Sequence, residues 1–280
     1  GQGLVSTPND FGTSGARAMA IDDAGRERAS GAAVMGAGHR DPQVWWRAAR
    51  TALQATLAQV DRTAIASIAV DGTSGTMLAV DASGAPLALG LMYNDACTDA
   101  DTLAAIEANA PPTSAARGPT SGLARALQLQ ALTPHKVLHQ ADWIAHRLSG
   151  RMLSDANNAL KTGYDPVVGG WPDWIVATGL QPGILPDVVD PGTPVGTLTP
   201  DAAREFGLDL VTRVVAGTTD GCASFLATGA SEAGEGVTVL GSTLTLKVLS
   251  DRPIFAPEYG IYSHRSRGMW LAGGASNSGG

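Results

Sequence analysis

Cysteine is scarce in this chain: of 280 residues only Cys97 and Cys222 are cysteines. They are too far apart in sequence for a C-x-x-C pair, which excludes the usual cysteine zinc site. Two free thiols suit a reducing compartment. Basic blocks are missing too, and the formal net charge of −7 argues against nucleic acid as a partner. No apolar run reaches the length of a membrane span. The first residues lack the basic-then-apolar order of a secretion signal. A cytoplasmic protein with no membrane partner is the expectation. The five histidines show no metal spacing; His135 and His139 stand four apart with nothing to support them. There is no G-x-x-x-x-G-K-[ST] loop, so the chain is not a P-loop nucleotidase. Asp10-Phe11-Gly12 spells D-F-G, but the rest of the protein-kinase signature is missing.

What is present is one kind of loop, used repeatedly. Asp10-Phe11-Gly12-Thr13-Ser14-Gly15-Ala16-Arg17 runs into a short apolar segment. Asp71-Gly72-Thr73-Ser74-Gly75-Thr76 does the same sixty residues later, and Gly241-Ser242-Thr243 is a looser relative. Such turns set backbone N–H groups and hydroxyls around an anion, and glycine lets the backbone come close. In the first copy Arg17 adds a two-pronged phosphate donor, and Asp10 is a hard oxygen ligand suited to Mg²⁺. A single such loop reads first as a polar hairpin turn, and it is the recurrence that points to function.

The pattern alternates strands and helices, with hairpins mixed in. Strands are predicted from Arg17 to about Ala33 around a turn at 23–25, at 65–70, in a hairpin over 76–92, at 211–216, and in pairs over 236–249 and 259–272. Residues 42–60 read as a helix with Trp46, Ala49, Leu53 and Leu57 on one face. Further helices are predicted near 98–109, 122–132, 139–149, 171–178, 201–206 and 222–229. The tryptophans Trp45, Trp46, Trp143, Trp171 and Trp174 read as core or rim. Gly217-Thr218-Thr219-Asp220-Gly221 joins a strand to a helix, so Asp220 is either a helix N-cap or a general base. Cys222 reads as a packed small residue, or as a thiol acidified at a helix start.

Taken in order, D-F-G-T-S-G-A-R, V-D-G-T-S-G-T, M-Y-N-D, G-T-T-D-G-C-A-S and L-G-S-T-L resemble the FGGY carbohydrate kinase family. The segment S-D-A-N-N-A-L-K-T-G-Y-D at 154–165 and the final G-G-A-S-N resemble its ribulose and xylulose kinase-like branch. The resemblance implies an α/β domain of the actin/hexokinase/Hsp70-like (ribonuclease H-like) fold, with a mixed sheet and flanking helices. It implies ATP-dependent phosphorylation of a sugar hydroxyl, with a ketopentose as acceptor and ATP and Mg²⁺ as cofactors. Asp220 matches the family's catalytic base. Gly12, Thr13, Ser14, Arg17, Gly241, Ser242 and Thr243 match its phosphate loops, and Asp10 its metal-facing carboxylate. Thr73, Ser74, Asn94 and Asp95, with Asp220, match positions lining the sugar pocket.

Two departures accompany the resemblance. The segment Val5-Ser6-Thr7-Pro8-Asn9 is not the apolar strand the family places before Asp10, and proline cannot donate to a ladder. Residues 1–9 are therefore expected to be a tail or an altered first strand. The kinase N-terminal domain is expected over 10–272, with 273–280 opening a connector to a nucleotide-binding domain that this chain does not include. A sugar-binding or regulatory fragment without kinase activity is the competing expectation, an actin-like assembly ATPase shares the fold, and a homodimer stays open.

Overall fold

The computed structural model describes residues 2–6, 15–226, 231–239, 244–256 and 261–276. Strands β1 (Gln2–Ser6), β2 (Gly15–Ile21) and β3 (Glu27–Val34) form an antiparallel meander. At the β2–β3 turn the Asp22 carboxylate accepts from the Ala24 and Arg26 N–H groups, and Gly25 takes φ +74°. Helix α1 (Pro42–Leu57) follows. Asp41 caps it by accepting from Gln43 N–H at 2.9 Å, and Pro42 occupies the first turn, where no N–H is missed. Its buried face carries Trp45, Trp46, Ala52, Leu53 and Leu57. Ala49 is only half-buried, so the apolar stripe is rotated toward Trp45 relative to the predicted one. The Thr56 hydroxyl ties the helix to the sheet through the Ala18 carbonyl at 3.0 Å.

Strand β4 (Ile65–Gly72) then runs parallel to β1. Next come β5 (Met77–Val80), α2 (Ala100–Asn109), α3 (Gly122–Gln130), β6 (Lys136–His139) and α4 (Gln140–Ser149). The predicted hairpin over 76–92 closes through only two bridges, Met77 to Leu91 and Val80 to Pro86. The ladder partner of β5 is instead β6, antiparallel, with Leu78 opposite Leu138. Strand β7 (Leu153–Asp155), α5 (Ala156–Ala159), α6 (Trp174–Ala177), β8 (Asp187–Val189), β9 (Pro194–Thr197) and α7 (Pro200–Phe206) lead to β10 (Arg213–Thr219) and α8 (Asp220–Leu226). Strands β11 (Gly236–Val239), β12 (Leu244–Ser250), β13 (Tyr262–Ser266) and β14 (Met269–Ser276) complete the described elements.

The main sheet has the order β3-β2-β1-β4-β10-β9, with β1, β4 and β10 parallel and the rest antiparallel. This mixed sheet with helices α1, α4 and α7 packed on it is the ribonuclease H-like arrangement expected from the sequence. Gln2–Ser6 is a central strand, hydrogen-bonded to neighbours on both sides; Pro8 lies outside the described residues. A second sheet, β11-β12-β14-β13, follows, and β14 continues to Ser276, past residue 272. One apolar core lies between the main sheet and α1, α4 and α7, where Trp45 meets Trp143 edge-on at 6.3 Å and Trp46 meets Phe206 at 6.1 Å. Another gathers under α2 and α3, with Trp171 and Trp174 half-buried at its margin. Among the described residues no helix is long and apolar enough to cross a membrane.

Candidate active site

Strands β4 and β10 end side by side, Val70 opposite Ala216 and Gly72 opposite Thr219, with a register shift between. The shift depends on Gly217. A Cβ there would stand 1.9 Å from the Val70 carbonyl oxygen and 2.7 Å from Asp71 Oδ1. This close approach lets the Thr218 N–H donate to Asp71 Oδ1 at 2.8 Å. Asp71 is buried, at 4% exposure. Burial pushes its carboxyl up to about 7; the Thr218 hydrogen bond opposes this, and the charges of Asp155 and Asp220 add to it. Asp155 is also buried and is raised to about 6, first by burial and then by Asp142.

Asp220 is the first residue of α8. The Gly221 N–H donates to Asp220 Oδ1 at 2.7 Å, while the Cys222 N–H turns to Thr219 Oγ1 at 3.4 Å. The hydroxyl one residue earlier thus takes the capping role that Asp220 was one candidate for. Lys247 reaches across from β12, its Nζ lying 2.7 Å from where a Cβ on Gly221 would be. Lys161, in the turn after α5, is lowered by burial, and Asp220 is the main charge opposing that fall. Cys222 is buried, and burial pushes its thiol up rather than down. It is a packed residue, not an acidified one.

Asn157 of α5 joins the two sheets at this point. Its Nδ2 donates to Thr218 Oγ1 at 2.9 Å and to the Arg265 carbonyl at 2.8 Å, and its Oδ1 accepts from the Arg265 N–H at 2.7 Å. Asp155 caps the same helix by accepting from the Asn157 and Asn158 N–H groups.

The other wall is the turn between β4 and β5. Thr73 Oγ1 and Ser74 Oγ are buried without a hydrogen-bond partner. Gly75, at φ +89°, leaves room for the Arg125 guanidinium, whose Nη2 would be 2.7 Å from a Cβ there. Arg125 is fully buried and donates to the carbonyls of Asp95 and Thr120. Burial lowers it to about 10. The Asp95 carboxylate is occupied by Arg40 in a two-pronged pair and by the Met92 N–H. Arg40, followed by that N–H, holds Asp95 below the usual carboxylate range. Asn94 is exposed.

The structure therefore brings Asp220, Thr73 and Ser74 onto adjoining strand ends and ties the Asp95 segment to them through Arg125. Arg17 lies exposed on β2. Asp10, Gly12, Thr13, Ser14, Gly241, Ser242 and Thr243 fall outside the described residues. Sequence reasoning missed Asp71 as a buried acid, Asn157, Arg125 and Gln140. The quoted segments 71–76 and 154–165 did contain the first two. Among the described residues no group of three His, Cys, Asp or Glu side chains is placed to hold a metal. His139 instead pairs its Nδ1 with Asp142 at 2.9 Å.

No family model matches the chain. Over 120 residues it is 38% identical to "Autoinducer-2 kinase" of Yersinia pestis (strain Pestoides F) and, equally, of Yersinia pseudotuberculosis serotype O:1b; the match covers 42% of this chain and 22% of the relative. Among solved structures it superposes on a xylulose kinase from Rhodospirillum rubrum with TM-score 0.84 at 22% identity, covering 98% of this chain and 60% of that one. A gluconate kinase from Lactobacillus acidophilus gives 0.83 at 17%, covering 100% and 61%. Plasmodium falciparum glycerol kinase gives 0.76 at 12%, covering 98% and 61%. The chain thus spans about three fifths of these enzymes and less of its sequence relatives. Its fold is the one these sugar kinases share, and over the matched stretch its sequence is similar to the autoinducer-2 kinases.

Proposed function

We propose that this domain belongs to a kinase that moves the γ-phosphoryl group of ATP to a hydroxyl of a ketopentose, ribulose ahead of xylulose. The observation that carries the reading is that Asp220 and the Thr73-Ser74 turn follow directly on the paired ends of β10 and β4. A carboxylate starts α8 at the end of β10, and after the end of β4 two buried hydroxyls have no protein partner. Asp220 takes the proton from the acceptor hydroxyl as that oxygen attacks the γ-phosphorus, and the bond to the ADP oxygen breaks. The hydroxyls of Thr73 and Ser74 hold the sugar in line, and such positioning supplies much of the rate. Asp95, held rigid by Arg40, supports the same wall through Arg125.

Gly12, Thr13, Ser14 and Arg17, with Gly241, Ser242 and Thr243, are assigned to the phosphates. Magnesium takes hard carboxylate oxygens. Asp10, four residues beyond the end of β1, is assigned to that ion, which neutralises phosphate charge when it arrives with ATP. The test is ADP release by the full-length protein with ribulose and xylulose, wild type and Asp220→Ala. Loss of nearly all turnover on substitution supports the base assignment, and equal rates refute it. Ribulose binding without ADP release would instead support a sugar-binding role.

A further inference from the structure

Gln140 is the first residue of α4 and is 1% exposed. Both polar atoms of its side chain, Nε2 and Oε1, are buried without any hydrogen-bond partner. Native interiors seldom leave both ends of an amide unmet, so the group calls for an explanation. Capping of α4 does not supply one. That role belongs to the neighbours, since Asp142 Oδ2 accepts from the His139 N–H and from its ring nitrogen.

Its position supplies the explanation. The Gln140 backbone N–H donates to the Thr76 carbonyl at 2.9 Å. The next residue, Ala141, presses on Gly72, where a Cβ would come within 3.0 Å of the Ala141 nitrogen. Gly72 in turn stands opposite Thr219, which precedes Asp220. Gln140 is thus anchored to the same turn as Thr73 and Ser74, whose hydroxyls are also unmet. Arg125, whose Nη2 stands against Gly75 of that turn, has another unmet donor in its Nε. Four residues with unmet side-chain polar atoms thus lie in the four-residue turn 73–76 or are anchored against it.

An amide sets a donor and an acceptor side by side. Two neighbouring hydroxyls of a sugar match it, one accepting from Nε2 and the other donating to Oε1. A carboxylate or phosphate would leave Oε1 facing another acceptor. We propose that Gln140 is a specificity-determining residue of the acceptor site, holding a vicinal diol of a neutral sugar while a further hydroxyl meets Asp220. This rests on the kinase reading above for the identity of the reacting end.

The experiment uses the full-length protein, wild type and Gln140→Met, with ribulose and with deoxy analogues lacking one non-reacting hydroxyl. For wild type the analogue missing a diol hydroxyl raises KM roughly ten- to hundred-fold, and Gln140→Met raises the ribulose KM by a similar factor with kcat nearly unchanged. The two losses do not add: Gln140→Met treats ribulose and that analogue alike. Additive losses, or no change in KM, overturn the proposal. The analogue series on wild type alone also decides, since indifference to every deoxy analogue overturns it even where the variant fails to fold. Calorimetric titration with ribulose separates the two readings. Binding that weakens in Gln140→Met without ADP release in wild type supports the diol clamp and defeats only the kinase reading.

Discussion

The Thr218 backbone N–H donates to the Asp71 carboxylate across 2.8 Å, and this bond links the fold to pH. Burial raises Asp71 from its ordinary 3.8 to about 7 and Asp155 to about 6. Between those values and 3.8 the folded chain holds protons that the unfolded chain has released. The stability these groups contribute is therefore complete below about pH 4 and is lost as pH rises through 6 to 7. Asp71→Asn keeps an oxygen for the Thr218 N–H and removes the ionisation. Relative to wild type the variant should gain stability between pH 5 and pH 8, by an amount on the order of a few kcal/mol. Urea unfolding at both pH values measures it, and parallel pH profiles for the two proteins would contradict the assignment.

Gly217 is the backbone condition for that bond. With a Cβ only 1.9 Å from the Val70 carbonyl oxygen, Gly217→Ala has to push β10 off β4, and the Asp71 contact goes with it. The expected result is an insoluble chain or a loss above about 4 kcal/mol, at the extreme of single substitutions. Gly183→Ala is the control, because nothing lies within 4 Å of its Cβ position. Thermal melting of both variants checks the contrast. A Gly217→Ala chain that melts like wild type would show that the strand ends can part without cost.

Much of the sheet was legible because its signals are local. The Asp22–Gly25 turn between two apolar runs announces β2 and β3, and Asp41-Pro42 announces α1. The place of Asp220 at a strand-to-helix junction was legible for a similar reason, since an apolar strand breaks there into small residues. The β5–β6 pairing was not, since Lys136–His139 is four residues long and finds its partner some sixty residues earlier. Nothing in so short a run specifies a distant ladder. Asn157 and Gln140 were hidden for another reason. Their importance lies in polar partners, or in missing ones, that only the folded chain brings near.

The Arg40–Asp95 pair looks strong in geometry, yet both side chains keep solvent contact, at 43% and 26% exposure. Screening limits its contribution, so Arg40→Met should cost no more than about 1 kcal/mol. Because Arg40 is the main cause holding Asp95 low, the pair's contribution is present above pH 4 and fades as pH falls through the depressed value. The Arg40→Met deficit in urea unfolding should therefore shrink at pH 3. A deficit of several kcal/mol at neutral pH would mean that Arg40 positions the Asp95 segment against Arg125 far more than it stabilises a charge.

Asn157 offers the sharpest test of how the two sheets are held together. It is 1% exposed and makes three hydrogen bonds, one to Thr218 in the main sheet and two to the Arg265 backbone in the second. Asn157→Ala strands the Arg265 N–H and carbonyl in a partly buried place, where unmet groups cost up to about 1–3 kcal/mol each. Asn157→Asp keeps an acceptor for the Arg265 N–H but loses both donors. It also adds a carboxylate near Asp155 and Asp71, whose own ionisation is already opposed. Its penalty should therefore grow from pH 5 to pH 8, whereas that of Asn157→Ala should not, since no charge is introduced. Hydrogen exchange at the Arg265 amide should quicken in the alanine variant before global unfolding does, because the contact bridges two sheets rather than completing either ladder. Unchanged exchange at Arg265 in that variant would show that β13 is held to the main sheet by something other than this side chain.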